Sequence, residues 1–306
     1  MAVTRVPCAV CGGTAFRTVY PGTIGPGTIA EDRRPPGASF GSSRERAEHW
    51  PIGRCESCGL TMSNPQDDAA TLAEVYRTHA DPAYDRELGS RRRAARDYLA
   101  IVRRYGAATG RLLDIGCGTG AFVCLASERG WTAQGIDASE WMIEHARLRC
   151  PAGTFHAGDP LAATFDPGRL DAVTLWNVLE HVPAPAAVLR RARSWLAPGG
   201  RLFLRVPNGA SLVARLAGRR WVLLVREHLW YFSPDTMERL LRAEGFEVVA
   251  MRSATVRASL GNVLRRIGQG AGPVSGWADR LYRSGALGGI PLRLPIGEMD
   301  VVARPR

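Results

Sequence analysis

The chain has 306 residues, 45% of them hydrophobic, which is enough for one large domain with its own core and a small one beside it. No apolar run approaches the roughly 20 residues of a membrane-spanning helix, and Met1-Ala2-Val3-Thr4-Arg5 has no signal-peptide apolar core, so a soluble cytoplasmic protein without a membrane partner is expected. The formal net charge of +11 admits a nucleic-acid partner, but all 40 basic residues are Arg, and a chain rich in Ala and Gly with no Lys reads as the product of a GC-rich genome more than of a nucleic-acid surface.

Residues 1–66 are rich in Gly and Pro and hold two C-x-x-C pairs, Cys8/Cys11 and Cys55/Cys58; the stretch between the pairs is too turn-rich for a regular element. Residues 67–109 are predicted as a helical lead-in. Asp67 and Asp68 are its candidate caps, Leu72, Val75 and Tyr76 fall at helical spacing, and a second helix covers about 88–104. From 110 onward strands and helices alternate. Strands are predicted at 111–115, 132–136, 154–157, 170–176 and 201–206, with helices at 121–129, 141–149 and 186–196. A helix at 236–243, stopped by Gly245, precedes a sixth strand at 246–251; a seventh falls at 299–303, after a helical insert over about 255–290. This order predicts an α/β fold, a Rossmann-like sheet with helices on both faces over 110–306, with ligands at the carboxyl ends of its strands.

Gly116, Gly118 and Gly120 follow the first of these strands and open a helix. Glycine lets the backbone turn tightly and lets a ligand come close. The spacing is G-x-G-x-G, not the dinucleotide G-x-G-x-x-G, and Asp114 stands just before the first glycine. An acid there is a poor neighbour for a pyrophosphate and suits a cofactor with a cationic amino group. Asp137 ends the second strand, where a carboxylate can accept both ribose hydroxyls, and Asp159 follows the third, placed to accept from an adenine amino group. Each Asp alone reads equally as a strand-end cap. Three at successive strand ends, around a glycine loop, read as a pocket for S-adenosylmethionine. The expected cofactor-binding set is Asp114, Gly116, Cys117, Gly118, Gly120, Asp137, Ala138, Asp159, Asn177 and Val178.

Without a secretory signal, the C-x-x-C pairs read as metal ligands more readily than as disulfides. Two such knuckles can present four thiolates tetrahedrally to zinc at about 2.3 Å. Gly12 and Gly59 directly follow the second cysteine of each pair, which suits a tight knuckle. The alternatives are four buried free thiols, or a redox dithiol, which needs only one pair. Four protein ligands leave no open position, so Cys8, Cys11, Cys55 and Cys58 are expected to hold a structural zinc ion in a module over residues 1–66.

Leu113-Asp114-Ile115-Gly116-Cys117-Gly118-Thr119-Gly120 resembles the first motif of class I S-adenosylmethionine-dependent methyltransferases, and Gly135-Ile136-Asp137-Ala138-Ser139 their second. The segment from Asp171 through Asn177 to Val182 resembles their fourth-strand motif, and Leu196-Ala197-Pro198-Gly199-Gly200 the turn before strand five. The resemblance implies a seven-stranded sheet whose last strand, 299–303 here, inserts antiparallel beside the fifth.

Methyl transfer is an in-line displacement at a sulfonium, often with removal of a proton from the acceptor. Candidate bases follow strands four and five: His181, and the adjacent Glu227 and His228. Each histidine also reads as a packed or capping residue. Together with the cysteine module these segments resemble sugar C-methyltransferases acting on nucleotide-linked ketosugars. In that family an aromatic residue of the lead-in, two histidines and a glutamate line the pocket; Tyr76, His181, His228 and Glu227 match by motif. Those enzymes abstract a proton beside a ketone and methylate the enolate carbon. Their further C-terminal domain has no expected counterpart here. The leading expectation is therefore C- or O-methylation of a small acceptor, a sugar or natural-product intermediate. The alternative is an rRNA or tRNA methyltransferase using the zinc module and basic surface. Against it, Asn177-Val178-Leu179 stands where an N-P-P-[YF] base-flipping motif would be, and residues 1–66 lack the aromatic–basic interleaving of stacking platforms. A non-enzymatic zinc-dependent binding module is the third reading, disfavoured by the complete cofactor motif.

Overall fold

In the computed structural model, residues 3–24, 48–80, 88–260, 276–277, 280–281 and 291–306 are described. Most of the stretch between the cysteine pairs, 25–47, lies outside them. Short strands frame the cysteines. β1 (Val3–Thr4) pairs with β5 (Gln66–Asp67), while β2 (Phe16–Tyr20), β3 (Ile52–Cys55) and β4 (Thr61–Ser63) run antiparallel side by side. The N–H groups of Gly12 and Gly59 donate to the carbonyls of Cys8 and Cys55 at 2.8 and 2.9 Å, closing one turn at each pair.

Helix α1 (Ala69–Arg77) starts at Asp68, whose side chain accepts from the Thr71 N–H at 2.7 Å, as expected. Asp67 is not a cap. It ends β5, is 1% exposed, and pairs with Arg226, because its strand turns the carboxylate inward. α2 (Leu88–Tyr105) buries Ala95, Leu99, Ile101 and Val102.

The main sheet takes β6 (Arg111–Ile115), β7 (Thr132–Asp137), β8 (Thr154–Ala157), β9 (Leu170–Trp176) and β10 (Leu196–Pro207) as parallel strands. Between them run α3 (Ala121–Ser127), α4 (Glu140–Arg149) and α5 (Pro185–Trp195). After β10 come α6 (Leu212–Ala217), β11 (Trp230–Tyr231), α7 (Pro234–Ala243), β12 (Phe246–Ser259) and β13 (Pro291–Pro305). The seven-stranded order is β12-β13-β10-β9-β6-β7-β8, and β13 lies antiparallel beside β10, with Met299 opposite Val206, as the resemblance implied. β6 sits at the point where the order reverses, so the chain diverges there and leaves a crevice at the carboxyl ends of β6 and β9.

The helical insert expected over 255–290 is partly wrong. Residues 255–259 continue β12, because β13 begins early enough to pair with them, Val256 opposite Leu294 and Arg257 opposite Arg293. Residues 276–277 and 280–281 are helical, and the rest of that insert lies outside the described residues.

β11 does not join the main sheet. It pairs with β4, so Trp230 and Tyr231 complete a four-stranded sheet, β11-β4-β3-β2, whose other strands come from the first 66 residues. The same hydrophobic core contains Cys8, Cys55, Leu60 and Met62 together with Leu113, Val173 and Leu204 of the main sheet. The cysteine region is packed onto the sheet as a continuous apolar interior.

Candidate active site and cysteine centre

Loop 116–120 is sewn to the end of β7. Gly116 and Cys117 donate to the Ile136 carbonyl at 2.8 and 3.1 Å, and Gly118 donates to Asp137 Oδ2 at 2.9 Å. Asp137 Oδ1 accepts from the Ser139 N–H, also at 2.9 Å, so Ala138 is fixed in a tight turn. Gly116 has φ +72°, and a Cβ there would sit 2.3 Å from Val178 Cγ2: only glycine lets the strand-four loop close over the strand-one loop. Asp114 is buried and accepts from Thr174 Oγ1 at 2.6 Å; burial pushes its carboxyl up to about 8. Burial also raises Asp137. Asp159 is exposed, and its Oδ1 accepts from the Leu161 N–H at 2.8 Å. The Cys117 thiol is buried in the core against Gly135, so this residue offers the crevice no side chain.

Asn177 follows β9 with φ +58°, a left-handed conformation that costs a non-glycine residue energy and that concentrates at functional sites. Its Nδ2 donates to Glu298 Oε1 at 2.8 Å and to Glu180 Oε1 at 3.5 Å. Glu180 is 0% exposed, its Oε2 meets no hydrogen-bond donor among the described residues, and burial raises its carboxyl well above the usual range. Neither acid was expected as a site residue. Glu180 was visible in sequence beside His181; Glu298 lies just before the predicted strand 299–303, and nothing local marks it.

Tyr76, His181, Glu227 and His228 come from three segments and meet. Tyr76 Oη lies 3.1 Å from His181 Nδ1, and the Glu227 carbonyl 2.9 Å from the same nitrogen. The two imidazoles stand edge to face with centroids 4.8 Å apart. His228, 4% exposed, places its Nδ1 2.8 Å from the Leu223 carbonyl. A carbonyl only accepts, so each Nδ1 carries the proton and each Nε2 is the basic nitrogen. Burial, and then the Glu227 carboxylate, raise the Tyr76 phenol well above its usual range, so it stays protonated. Glu180, His181 and His228 also place their potential ligand atoms within 4.8 Å of one another.

The sequence profile described as "Methyltransferase domain" matches residues 88–251. The chain belongs to this methyltransferase family. It is a class I S-adenosylmethionine-dependent methyltransferase. Three relatives are each named ubiquinone biosynthesis O-methyltransferase. The Thiobacillus denitrificans protein is 29% identical over 47% of this chain and 68% of its own. That of Xanthomonas campestris pv. campestris is 34% identical over 39% of this chain and 56% of its own, and that of Marinobacter nauticus 33% over 51% and 71%. The chain thus spans little more than half of the Xanthomonas relative. A methyltransferase chain in the complex with the Haloferax volcanii Trm112 methyltransferase activator has the same fold, at TM-score 0.52 and 17% identity, covering 74% of this chain and 99% of that one.

The crevice of the methyltransferase fits its cofactor in charge. Asp137 holds Gly118 of the loop, Asp114 ends the strand before it, and Glu180 and Glu298 meet on Asn177, so the acids present are of the kind that suits a ligand carrying a sulfonium and an amino group. Away from it, Cys8, Cys11, Cys55 and Cys58 place their sulfur atoms within 4.8 Å of one another, with Cys8–Cys58 at 3.4 Å and Cys11–Cys55 at 3.6 Å. Sulfurs about 2.3 Å from a tetrahedral ion stand about 3.8 Å apart, so the four fit one metal. Burial raises the Cys8 and Cys58 thiols. At Cys55 burial also acts upward, but the N–H groups of Cys58 and Ser57 and the neighbouring thiols bring it down to about 7. Among the described residues no helix is long and apolar enough to cross a membrane.

Proposed function

We propose that this methyltransferase acts on a small acceptor, a sugar or natural-product intermediate, and methylates carbon or oxygen with a histidine as general base. The observation that supports this most is the pairing of His181 with His228. Backbone carbonyls hold both imidazoles as Nε2 bases, beside a protonated Tyr76. The acceptor proton passes to an Nε2, and the electron pair left on the acceptor takes the methyl group that the sulfonium cofactor supplies. Tyr76 orients the acceptor by donating from its hydroxyl. The relatives' names point to oxygen; the sugar-enzyme motifs point to carbon beside a ketone. S-adenosylhomocysteine release on 3,4-dihydroxybenzoate and on a nucleoside-diphosphate 4-ketosugar, with the product's methyl carbon read by NMR, separates the two. Methylation of RNA instead, with tight and strongly salt-dependent binding, would replace this reading by the rRNA or tRNA alternative.

In this reading Asp137 accepts the ribose hydroxyls, Asp159 the adenine amino group, and Asp114 faces the cofactor's amino group. A cation there favours the carboxylate, so cofactor binding at pH 7 expels the proton that Asp114 holds up to about 8. Affinity rises with pH toward that value. The sign for stability is opposite. The folded chain keeps a proton that the unfolded chain loses near about 3.9, so without cofactor, stability falls as pH climbs from about 4 to 8. Calorimetry in two buffers of different ionisation enthalpy is expected to show proton release for the wild type and less of it for Asp114→Asn. Equal release from both would remove Asp114 from the amino-group site.

The cysteine centre is proposed to hold a structural zinc ion. Elemental analysis of protein purified without added metal is expected to find one equivalent per chain. A metal-free, fully folded chain would overturn the assignment, and a second equivalent would point to Glu180, His181 and His228.

A further inference from the structure

The loop that carries Glu227 and His228 is gripped from both sides. On one side it touches the loop after β9: the Leu229 N–H donates to the Glu180 carbonyl at 2.8 Å, and Trp230 Nε1 donates to the Val182 carbonyl at 2.8 Å. On the other side it touches the cysteine region and its exit. Ser63 Oγ donates to the His228 carbonyl at 2.9 Å, the Ser63 N–H donates to the Leu229 carbonyl at 3.0 Å, and β11 pairs with β4. At the loop's start Arg226 Nε and Nη2 donate to Asp67 Oδ2 and Oδ1 at 2.9 and 2.7 Å, a bidentate pair with both partners at most 5% exposed. Buried Trp50 donates from Nε1 to Asp67 Oδ2 at 3.1 Å and lies under the guanidinium, 5.5 Å from its ring centroid.

A bidentate pair fixes direction as well as distance. Arg226 is bonded directly to Glu227, whose carbonyl holds His181 Nδ1. Asp67 precedes Asp68, the cap of the helix that ends near Tyr76. One buried junction therefore sets the origin of both segments that meet at His181. We propose that Asp67 and Arg226, closed over by Trp50, are positioning residues of the methyl-transfer site: through them the cysteine region holds Glu227 and His228 against His181 and Tyr76. This rests on the histidine chemistry proposed above.

The test uses the full chain. Asp67→Asn alone leaves a buried guanidinium without its charge partner, so the double variant Asp67→Asn, Arg226→Gln, which removes both charges, is made beside it. Long-range proton–nitrogen spectra, assigned with His181→Gln and His228→Gln, report the imidazole tautomers. The wild type is expected to show both rings protonated at Nδ1. The double variant is expected to lose that signature at His181 while cofactor affinity and metal content stay unchanged. Turnover of 3,4-dihydroxybenzoate, or of the ketosugar if that is the acceptor, is expected to fall about 100-fold, as small misplacements of catalytic groups do. Arg226→Lys, with charge but no fork, is expected between the two. Unchanged tautomers and turnover in the folded double variant would overturn the proposal. Changed tautomers with full turnover would uphold the grip and sink the histidine chemistry instead, so the two failures are distinguishable.

Discussion

His228→Ala is expected to lower turnover by about 10²–10⁴-fold and to leave S-adenosylmethionine affinity unchanged, as loss of a positioned general base does. The ring is buried, and its Nδ1 is anchored on the Leu223 carbonyl. Removal therefore cannot be replaced by a swing of the neighbouring His181, which is itself anchored on the Glu227 carbonyl. The two rings are in contact, and the proposed mechanism has them act as a unit. His181→Ala is expected to cost a similar factor, and the double variant little more than either, since groups that serve one step lose their effects together. Glu227→Ala separates carboxylate from backbone. Its carbonyl still holds His181, so a smaller loss is expected, through the acceptor or Tyr76. Single-turnover rates with saturating cofactor are the measurement. Full turnover in both His228→Ala and Glu227→Ala would place the base elsewhere.

Asp137→Ala is expected to weaken cofactor binding at least about 100-fold by calorimetry. Hydrogen bonds to a charged group contribute about 1.5–3 kcal/mol each, and two are at stake at the ribose. The side chain also holds the loop it faces, through the Gly118 and Ser139 N–H groups. For that reason Asp137→Asn is not conservative here. Both carboxylate oxygens already accept from backbone donors, so an amide nitrogen in either place meets an N–H head on. Asn is expected to fall close to Ala, and unchanged affinity in either variant would take Asp137 out of the pocket.

Much of this was legible in the chain because the signals are local. The spacing of Gly116, Gly118 and Gly120 after an apolar strand needs no partner to be read. The seventh strand was also legible, as 299–303, but its true length was not: Pro291–Pro305 is long because β12 runs beside it, and that pairing leaves no mark on either segment alone. Asp67 shows the opposite error. Beside Asp68, at the start of an apolar period, it has every local mark of a cap; a guanidinium 159 residues away decides otherwise. Cys117 was expected in the cofactor set because it stands inside the loop, and only packing against Gly135 shows which way its thiol points.

By itself the sequence determined the alternation of strands and helices, the glycine loop, the three strand-end acids and the paired cysteines, since periodicity, turns and short spacings are written within a few residues. Only the tertiary structure decided that β11 completes the sheet of the cysteine region, that Glu180 and Glu298 meet on Asn177, and that Tyr76 and the Glu227 carbonyl reach His181 across 105 and 46 residues. Such meetings are set by strand register and by burial of one continuous core, and those free energies belong to the packed chain as a whole.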